Sequence, residues 1–192
     1  SVRAWLDRDP APVPVRPLHA GPGLPFDFYE PVQERVGPAP CVIVVHGGGW
    51  NGGDRRQFAH FHHWLARRGF AVAAVSYRFA PQWTWPAQRD DLQTAIDYLQ
   101  RHFAELGIDP HRFVLLGRSA GGQIAQVVGY TANHPAIRGV IGLYSPADLI
   151  FGYAHAEEDD MLRSPQLMRE FLGGTPDTAR ANYESASAHL HV

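Results

Sequence analysis

Short runs of apolar residues recur along the chain, and segments with helical spacing separate them. The runs cover residues 41–45, 70–75, 113–116 and 140–144. Continuous apolar runs of this length are typical of strands that are covered on both faces. In the intervening segments apolar side chains return every three or four residues, as on one face of a helix. The alternation predicts a mostly parallel sheet with helices packed on both sides of it.

Length and composition limit the class of protein that could contain such a sheet. With 192 residues, 45% of them hydrophobic and 19% charged, the chain fits one globular domain over residues 1–192. Residues 1–25 are rich in proline and are expected to form an extended edge or an irregular lead-in. A formal charge of -2 gives no electrostatic reason to expect nucleic acid as a partner, so we expect a small-molecule substrate.

Other features bear on location and on metals. No run approaches the roughly 18 apolar residues of a membrane span, and no signal peptide is recognisable, so the compartment stays open, with a soluble cytoplasmic protein as the working expectation. The single cysteine, Cys41, lies in an apolar run and is expected to be a buried hydrophobic residue. Because His60, His62 and His63 would point to different faces of a helix, no metal site is predicted.

The sequence Gly-Arg-Ser-Ala-Gly occupies residues 117–121, directly after one of the apolar runs. A helical pattern follows it, which gives the strand, sharp turn and helix of a nucleophile elbow. In such a turn the serine backbone is strained, and the flanking glycines let the strand and the helix approach each other. The pattern predicts that Ser119 is a nucleophile at the carboxyl edge of the sheet, and a flexible turn is the alternative.

Consecutive glycines follow another apolar run, in His-Gly-Gly-Gly-Trp at residues 46–50. When a serine attacks an ester carbonyl, negative charge develops on the oxygen, and each backbone N–H fixed toward it lowers the barrier by about 3 kcal/mol. Side chains would block so close a backbone approach. Gly48 and Gly49, together with Ala120 after the candidate nucleophile, are therefore the predicted oxyanion hole.

The two glycine motifs, with residues 77–81 and 107–110, resemble the α/β-hydrolase superfamily in order and spacing. The branch they resemble most is the hormone-sensitive-lipase-like and small bacterial carboxylesterase branch, over about residues 26–192. The resemblance implies a three-layer αβα sandwich and a serine carboxylesterase or lipase-like enzyme that cleaves small esters through an acyl-enzyme. It implies no cofactor and no metal, a structural segment at residues 77 and 78, and Trp50 as a wall of the substrate pocket.

The remainder of the catalytic triad is the point at which the sequence departs from that family. On this fold an acid and then a histidine follow the serine along the chain. Residues 183–192 resemble the stretch that precedes the strands carrying them, so the C-terminal strands, the acid and the base are expected beyond Val192. A compact alternative would combine Asp148 with one of the later histidines. No predicted strand holds any of these in place: His155, His189 and His191.

Other functions fit the same residues. An incomplete triad is compatible with a non-catalytic chain that acts in binding or assembly. The same serine and oxyanion hole also serve amide, formamide and peptide hydrolysis, and the fold does not choose among these bonds. A sheet without its last strands would leave residues 140–143 at an uncovered edge, which favours oligomers. A cooperative, monomeric melt of the chain would contradict that expectation.

Overall fold

The computed structural model describes residues 11–32 and 37–192. Its strands are β1 Val15–Gly21, β2 Leu24–Tyr29, β3 Ala39–Val45, β4 Ala71–Val75, β5 Ile108–Arg118 and β6 Ile137–Leu143. Its helices are α1 Ala59–Ala66, α2 Ala87–Arg101, α3 Phe103–Leu106, α4 Ala120–Thr131, α5 Leu149–His155, α6 Ser164–Leu172 and α7 Arg180–Ala186, followed by a 3-10 helix at Ala188–His191.

The strands form one sheet in the order β1-β2-β4-β3-β5-β6. Strands β4, β3, β5 and β6 run parallel to one another, whereas β1 and β2 are antiparallel to their neighbours. Each apolar run of the sequence lies in a parallel strand, so the mostly parallel sheet is confirmed. The carboxyl ends of β3 and β5 are adjacent, because Val45 pairs with Gly117. This pairing brings the two glycine motifs together.

The two faces of the sheet bury different side chains, since successive residues of a strand point in opposite directions. On one face α1 covers Val42, Val44 and Val72. On the other face α2 and α4 pack against Cys41, Ile43 and their neighbours. The structure therefore has the predicted three αβα layers, and it explains why these strands read as continuous apolar runs instead of alternating ones.

Part of the proline-rich lead-in is an edge strand. Residues of β1 pair with β2, and the turn between them contains Gly23 at φ 71°. Pro17 is tolerated because β1 is the outermost strand of the sheet, where an N–H is not required on the free side. The extended-edge interpretation is thus correct for Val15–Gly21, while the part of the prediction that covers residues 1–10 lies outside the described residues.

The opposite edge of the sheet is uncovered within the described residues. Strand β6 pairs with β5 on one side only. Ile141 and Leu143 expose 45% and 42% of their surface, which is unusual for branched apolar residues in a strand. The uncovered strand expected near residues 140–143 is therefore present.

From the sequence, residues 157–160 and 165–171 are expected to form one or two short surface helices, and the structure differs from this expectation. Helix α6 buries Met168, Phe171 and Leu172. The Phe171 ring stacks on Trp50, with the ring centroids 4.5 Å apart, and meets Trp85 edge-on at 5.6 Å. A helix at residues 165–171 is confirmed, but its assignment to the surface is wrong, because one face packs against apolar partners from distant parts of the chain. The acidic residues 157–160 form turns between α5 and α6.

Histidine 62 on α1 gives the fold a pH-dependent stability. The side chain is 1% exposed and its ring meets Tyr29 at 5.1 Å. Burial, with smaller contributions from Arg118, His63 and His60, lowers the pKa of His62 from 6.5 to about 4. Between these values the unfolded chain binds a proton that the folded chain does not, so the free energy of unfolding should fall by about 3 kcal/mol as the pH drops through this window.

Urea unfolding at pH 7 and pH 4.5 measures this effect. His62→Leu should lose less stability than the wild-type chain over that interval, because the titrating group is gone. His111→Leu is the control, since His111 is exposed on β5. Equal pH dependence in the wild type and in His62→Leu would show that His62 is not the source.

Candidate active site

Ser119 lies at the turn between β5 and α4, in a strained backbone conformation. Its φ is 51° and its ψ is -124°, a region that residues with a side chain rarely adopt. Its N–H donates to the carbonyl of Leu143 at 2.9 Å, and its own carbonyl accepts from the N–H groups of Gly122 and Gln123 at 2.9 and 3.1 Å. The structure thus has the predicted strand, sharp turn and helix, and it fixes Ser119 by hydrogen bonds on both sides.

Glycines around this turn are required by contacts with backbone. A Cβ built on Gly117 would overlap with the carbonyl of Gly121, and one on Gly121 would overlap with the carbonyl of His46. A Cβ on Gly122 would overlap with the hydroxyl of Ser145. At Gly121 the turn therefore packs directly against the end of β3, and a side chain there would force the two motifs apart.

The glycine loop after β3 lies against the same turn. A Cβ on Gly47 would stand 3.3 Å from the Cβ of Ser119. Gly48 and Gly49 have φ angles of 133° and 60°, which glycine adopts without strain. Within the described part of the chain, the N–H groups of Gly48, Gly49 and Ala120 have no hydrogen-bond acceptor. The predicted oxyanion-hole residues are thus close to Ser119 in the structure and carry free donors.

His46 and Tyr77 support the conformation of the glycine loop by ring stacking and hydrogen bonds. The two rings stack with their centroids 4.5 Å apart, and the Tyr77 hydroxyl donates to the His46 carbonyl at 3.1 Å. The Nδ1 of His46 is 2.8 Å from the Gly47 carbonyl oxygen. Because burial lowers the pKa of His46, the ring stays neutral and acts as a structural group. This histidine holds the loop in place.

An ion pair with a buried carboxylate anchors the segment that carries Tyr77. The Asp91 carboxylate is 2% exposed and accepts from the backbone N–H of Arg78 at 2.8 Å. The Arg78 guanidinium contacts the same carboxylate, with Nη2 at 2.7 Å from Oδ1. These contacts of Tyr77 and Arg78 agree with the structural role that the family resemblance implied for residues 77 and 78.

Ser119 and the glycine loop line a cavity of about 800 Å³. Other lining residues come from α5, α6 and their connection, so these helices form the wall that faces the glycine loop. Leu167 of α6 contacts that loop, because a Cβ on Gly49 would be 3.0 Å from its Cδ1. The lining contains no charged side chain: Gly48, Gly49, Trp50, Asn51, Ser119, Ala120, Tyr144, Ser145, Pro146, Leu149, Gly152, Ala156, Met161, Leu162, Ser164, Leu167 and Met168.

Trp50 lines this cavity and is also a core residue. It is 6% exposed, and its indole N–H donates to Gln123 at 2.9 Å. Gln123 in turn donates to the carbonyl of Ala186 at 2.8 Å. The ring therefore connects the glycine loop to the C-terminal helices, and its role as a wall of the substrate pocket stays a prediction.

Sequence reasoning missed the wall formed by α6. Leu167 and Met168 line the cavity, yet the sequence predicts a surface helix for the segment that contains them. The spacing of Met168, Phe171 and Leu172 along α6 is the signal that indicates a buried face.

The structure does not assemble a compact triad around Ser119. The Nε2 of His189 is 3.5 Å from Asp148, but its Nδ1 is 3.1 Å from the carbonyl oxygen of Ala147. A triad histidine needs one ring nitrogen for the acid and the other for the serine hydroxyl. Both nitrogens of His189 face residues of the preceding loop, and the cavity lining includes neither this histidine nor His155 nor His191.

Across residues 11–32 and 37–192, no group of three or more His, Cys, Asp or Glu side chains is placed to hold a metal ion. In the same ranges, every helix is too short or too polar to cross a membrane.

Comparison with known proteins places this geometry in a family. The family model described as BD-FAE matches residues 26–192. The chain belongs to the BD-FAE family. This BD-FAE chain is similar to the probable carboxylic ester hydrolase LipM of Mycobacterium tuberculosis, with 34% identity over 110 residues. It is also similar to the carboxylesterase NlhH of the same organism, with 38% identity over 112 residues.

These alignments cover 56% and 57% of the BD-FAE chain but only 25% and 34% of LipM and NlhH. Solved structures agree on the fold. Esterase B from Lactobacillus rhamnosis superposes with a TM-score of 0.82 at 24% identity, over 99% of this chain and 65% of that one. A bacterial heroin esterase gives a TM-score of 0.73 at 28% identity, over 88% and 58%. The predicted α/β-hydrolase fold is confirmed.

Proposed function

We propose that this BD-FAE chain carries the nucleophile and oxyanion hole of a serine carboxylesterase or lipase-like hydrolase that cleaves small carboxylic esters. The observation that carries the proposal is the strained Ser119 beside backbone N–H groups that lack an acceptor, on one uncharged cavity. The names of the relatives LipM and NlhH, a probable carboxylic ester hydrolase and a carboxylesterase, support the ester class.

The reaction follows from the positions of these groups. The Ser119 hydroxyl oxygen attacks the ester carbonyl carbon, and its proton passes to a general base. The electron pair displaced onto the carbonyl oxygen is stabilised by the N–H groups of Gly48, Gly49 and Ala120. When this intermediate collapses, the alcohol leaves with the proton and an acyl-enzyme remains. Water then attacks the acyl-enzyme and releases the carboxylic acid.

The general base and its acid are proposed to come from outside residues 1–192. His46 is buried against Tyr77, and no histidine is among the residues that line the cavity. The remaining parts of the proposal are a small-molecule ester as the partner, a cytoplasmic location and, for residues 1–192 without further strands, association through β6. Sedimentation of the purified protein reports the last of these.

Turnover of 4-nitrophenyl butyrate by the full-length protein tests the proposal. Ser119→Ala should lower kcat by at least about 10⁴-fold, because the nucleophile is removed. Ser76→Ala is the matched control, since Ser76 follows the neighbouring strand β4 and does not line the cavity. If Ser119→Ala kept wild-type turnover, or if the wild type had none, the proposed function would be wrong.

A further inference from the structure

The residue before the nucleophile, Arg118, carries a positive charge whose hydrogen-bond partners are neutral. Its Nη1 donates to the Tyr144 hydroxyl at 3.2 Å, and its Nη2 donates to the Gln57 side-chain oxygen at 2.9 Å. The guanidinium carbon is 4.1 Å from the centre of the Phe58 ring. These contacts orient the guanidinium group without neutralising it.

Arginines elsewhere at this end of the sheet are paired with acids. Arg55 lies 3.0 Å from Asp27, and Arg56 lies 2.8 Å from Asp54. For Arg118, no carboxylate among the described residues is within ion-pair distance. The half-buried Arg118 therefore leaves a net positive charge next to Ser119.

That charge lies one hydrogen bond away from the cavity lining. Tyr144, which bonds to Arg118, lines the cavity together with Ser119 and is 71% exposed. Among the described residues, the lining contains no acidic side chain that would cancel this charge, and water at the exposed guanidinium screens it only in part. Of the acidic residues near the rim, Glu158 is paired with Arg169, and Asp160 accepts N–H groups of its own loop.

The cavity thus has two chemically different sides. The wall from α5 and α6 is apolar, with Leu149, Leu167 and Met168, and suits an acyl chain. Tyr144 follows β6 and lines the cavity, whereas Arg118 is outside the lining and reaches it through its hydrogen bond to the Tyr144 hydroxyl. The part of a bound ester that lies beside Tyr144 is therefore the part nearest the Arg118 charge. A guanidinium binds a carboxylate through two parallel hydrogen bonds, which makes it selective for planar anions.

We propose that Arg118 is a specificity-determining residue that favours esters whose alcohol part carries a carboxylate. The inference rests on the proposed esterase function and names the substrate class of the same site. The substrate carboxylate replaces the Tyr144 hydroxyl as an acceptor for the Arg118 guanidinium, while the acyl chain occupies the apolar side. A purely structural role for Arg118, as a support for Phe58, would affect charged and neutral esters equally.

The test compares 3-carboxyphenyl butyrate with 3-carbamoylphenyl butyrate, which have nearly the same shape and differ in charge. For the full-length protein at low salt, kcat/KM should be about tenfold higher for the carboxylate ester, as one partly screened charge contact predicts. Arg118→Gln should remove this preference, and Arg118→Lys should retain part of it. In the wild type the preference should shrink at high salt, a measurement that does not depend on the folding of a variant.

Arg138→Gln is the control for net charge. Arg138 lies on β6 near its start, at the end of the strand away from Leu143, and its replacement removes the same charge. It should leave the preference unchanged. If the wild type hydrolyses both esters without a salt-sensitive preference, or if Arg118→Gln slows both equally, the inference is wrong and the proposed function stands. If the wild type hydrolyses neither ester and also fails on 4-nitrophenyl butyrate, the proposed function fails and the inference fails with it.

Discussion

Gly121→Ala is expected to lower ester hydrolysis by at least about 10³-fold and to destabilise the fold by about 3 kcal/mol. The added methyl group would overlap with the backbone carbonyls of His46 and Val45, which cannot rotate away as a side chain can. The turn that holds Ser119 would move away from the glycine loop. Serine and oxyanion-hole donors would then no longer converge on one carbonyl group.

The matched control is Gly139→Ala on β6, where a Cβ meets nothing within 4 Å. Thermal unfolding and 4-nitrophenyl butyrate turnover should be close to wild type for this variant. Wild-type activity in a folded Gly121→Ala protein would show that contact between the two motifs is not needed for catalysis.

Asp91→Ala is expected to reduce the free energy of unfolding by about 2 kcal/mol, because it removes the buried acceptor of the Arg78 backbone N–H and the partner of a guanidinium that is 36% exposed. Activity should fall as well. The segment released by the mutation carries Tyr77, which stacks on His46 and holds the glycine loop. Urea unfolding and kcat measured on the folded fraction separate the two effects.

Asp97→Ala provides the comparison, since Asp97 is an exposed carboxylate on the same helix α2. It should change stability by less than about 0.5 kcal/mol. If Asp91→Ala were no more destabilising than Asp97→Ala, the ion pair between Arg78 and Asp91 would not anchor the segment that carries Tyr77.

The parallel strands could be located from the sequence because burial on both faces makes each of them continuously apolar. Cys41 and Val42 illustrate this, since one packs on the α2 and α4 side and the other on the α1 side. The glycine loop and its contact with the turn could also be predicted from the sequence, because the φ angles of Gly48 and Gly49 and the close contacts around Gly121 require glycine.

The remainder of the site depends on contacts between distant residues, which no local pattern contains. Phe171 is buried by Trp50 and Trp85, and although its spacing with Met168 and Leu172 indicates a buried face, these partners could be identified only from the structure. Whether a histidine after Asp148 reaches Ser119 could not be predicted from its spacing along the chain either. His155 and His191 lie at hydrogen-bond distance from local backbone carbonyls, of Phe151 and Ser185, which orients them by their own segments and not by Ser119.

The intact mass of the full-length protein after treatment with a fluorophosphonate probe tests whether Ser119 is the acyl-forming nucleophile. One adduct is expected, located by peptide mapping on Ser119 and absent from Ser119→Ala. An unlabelled wild-type protein, or an adduct that persists in Ser119→Ala, would contradict this role of Ser119.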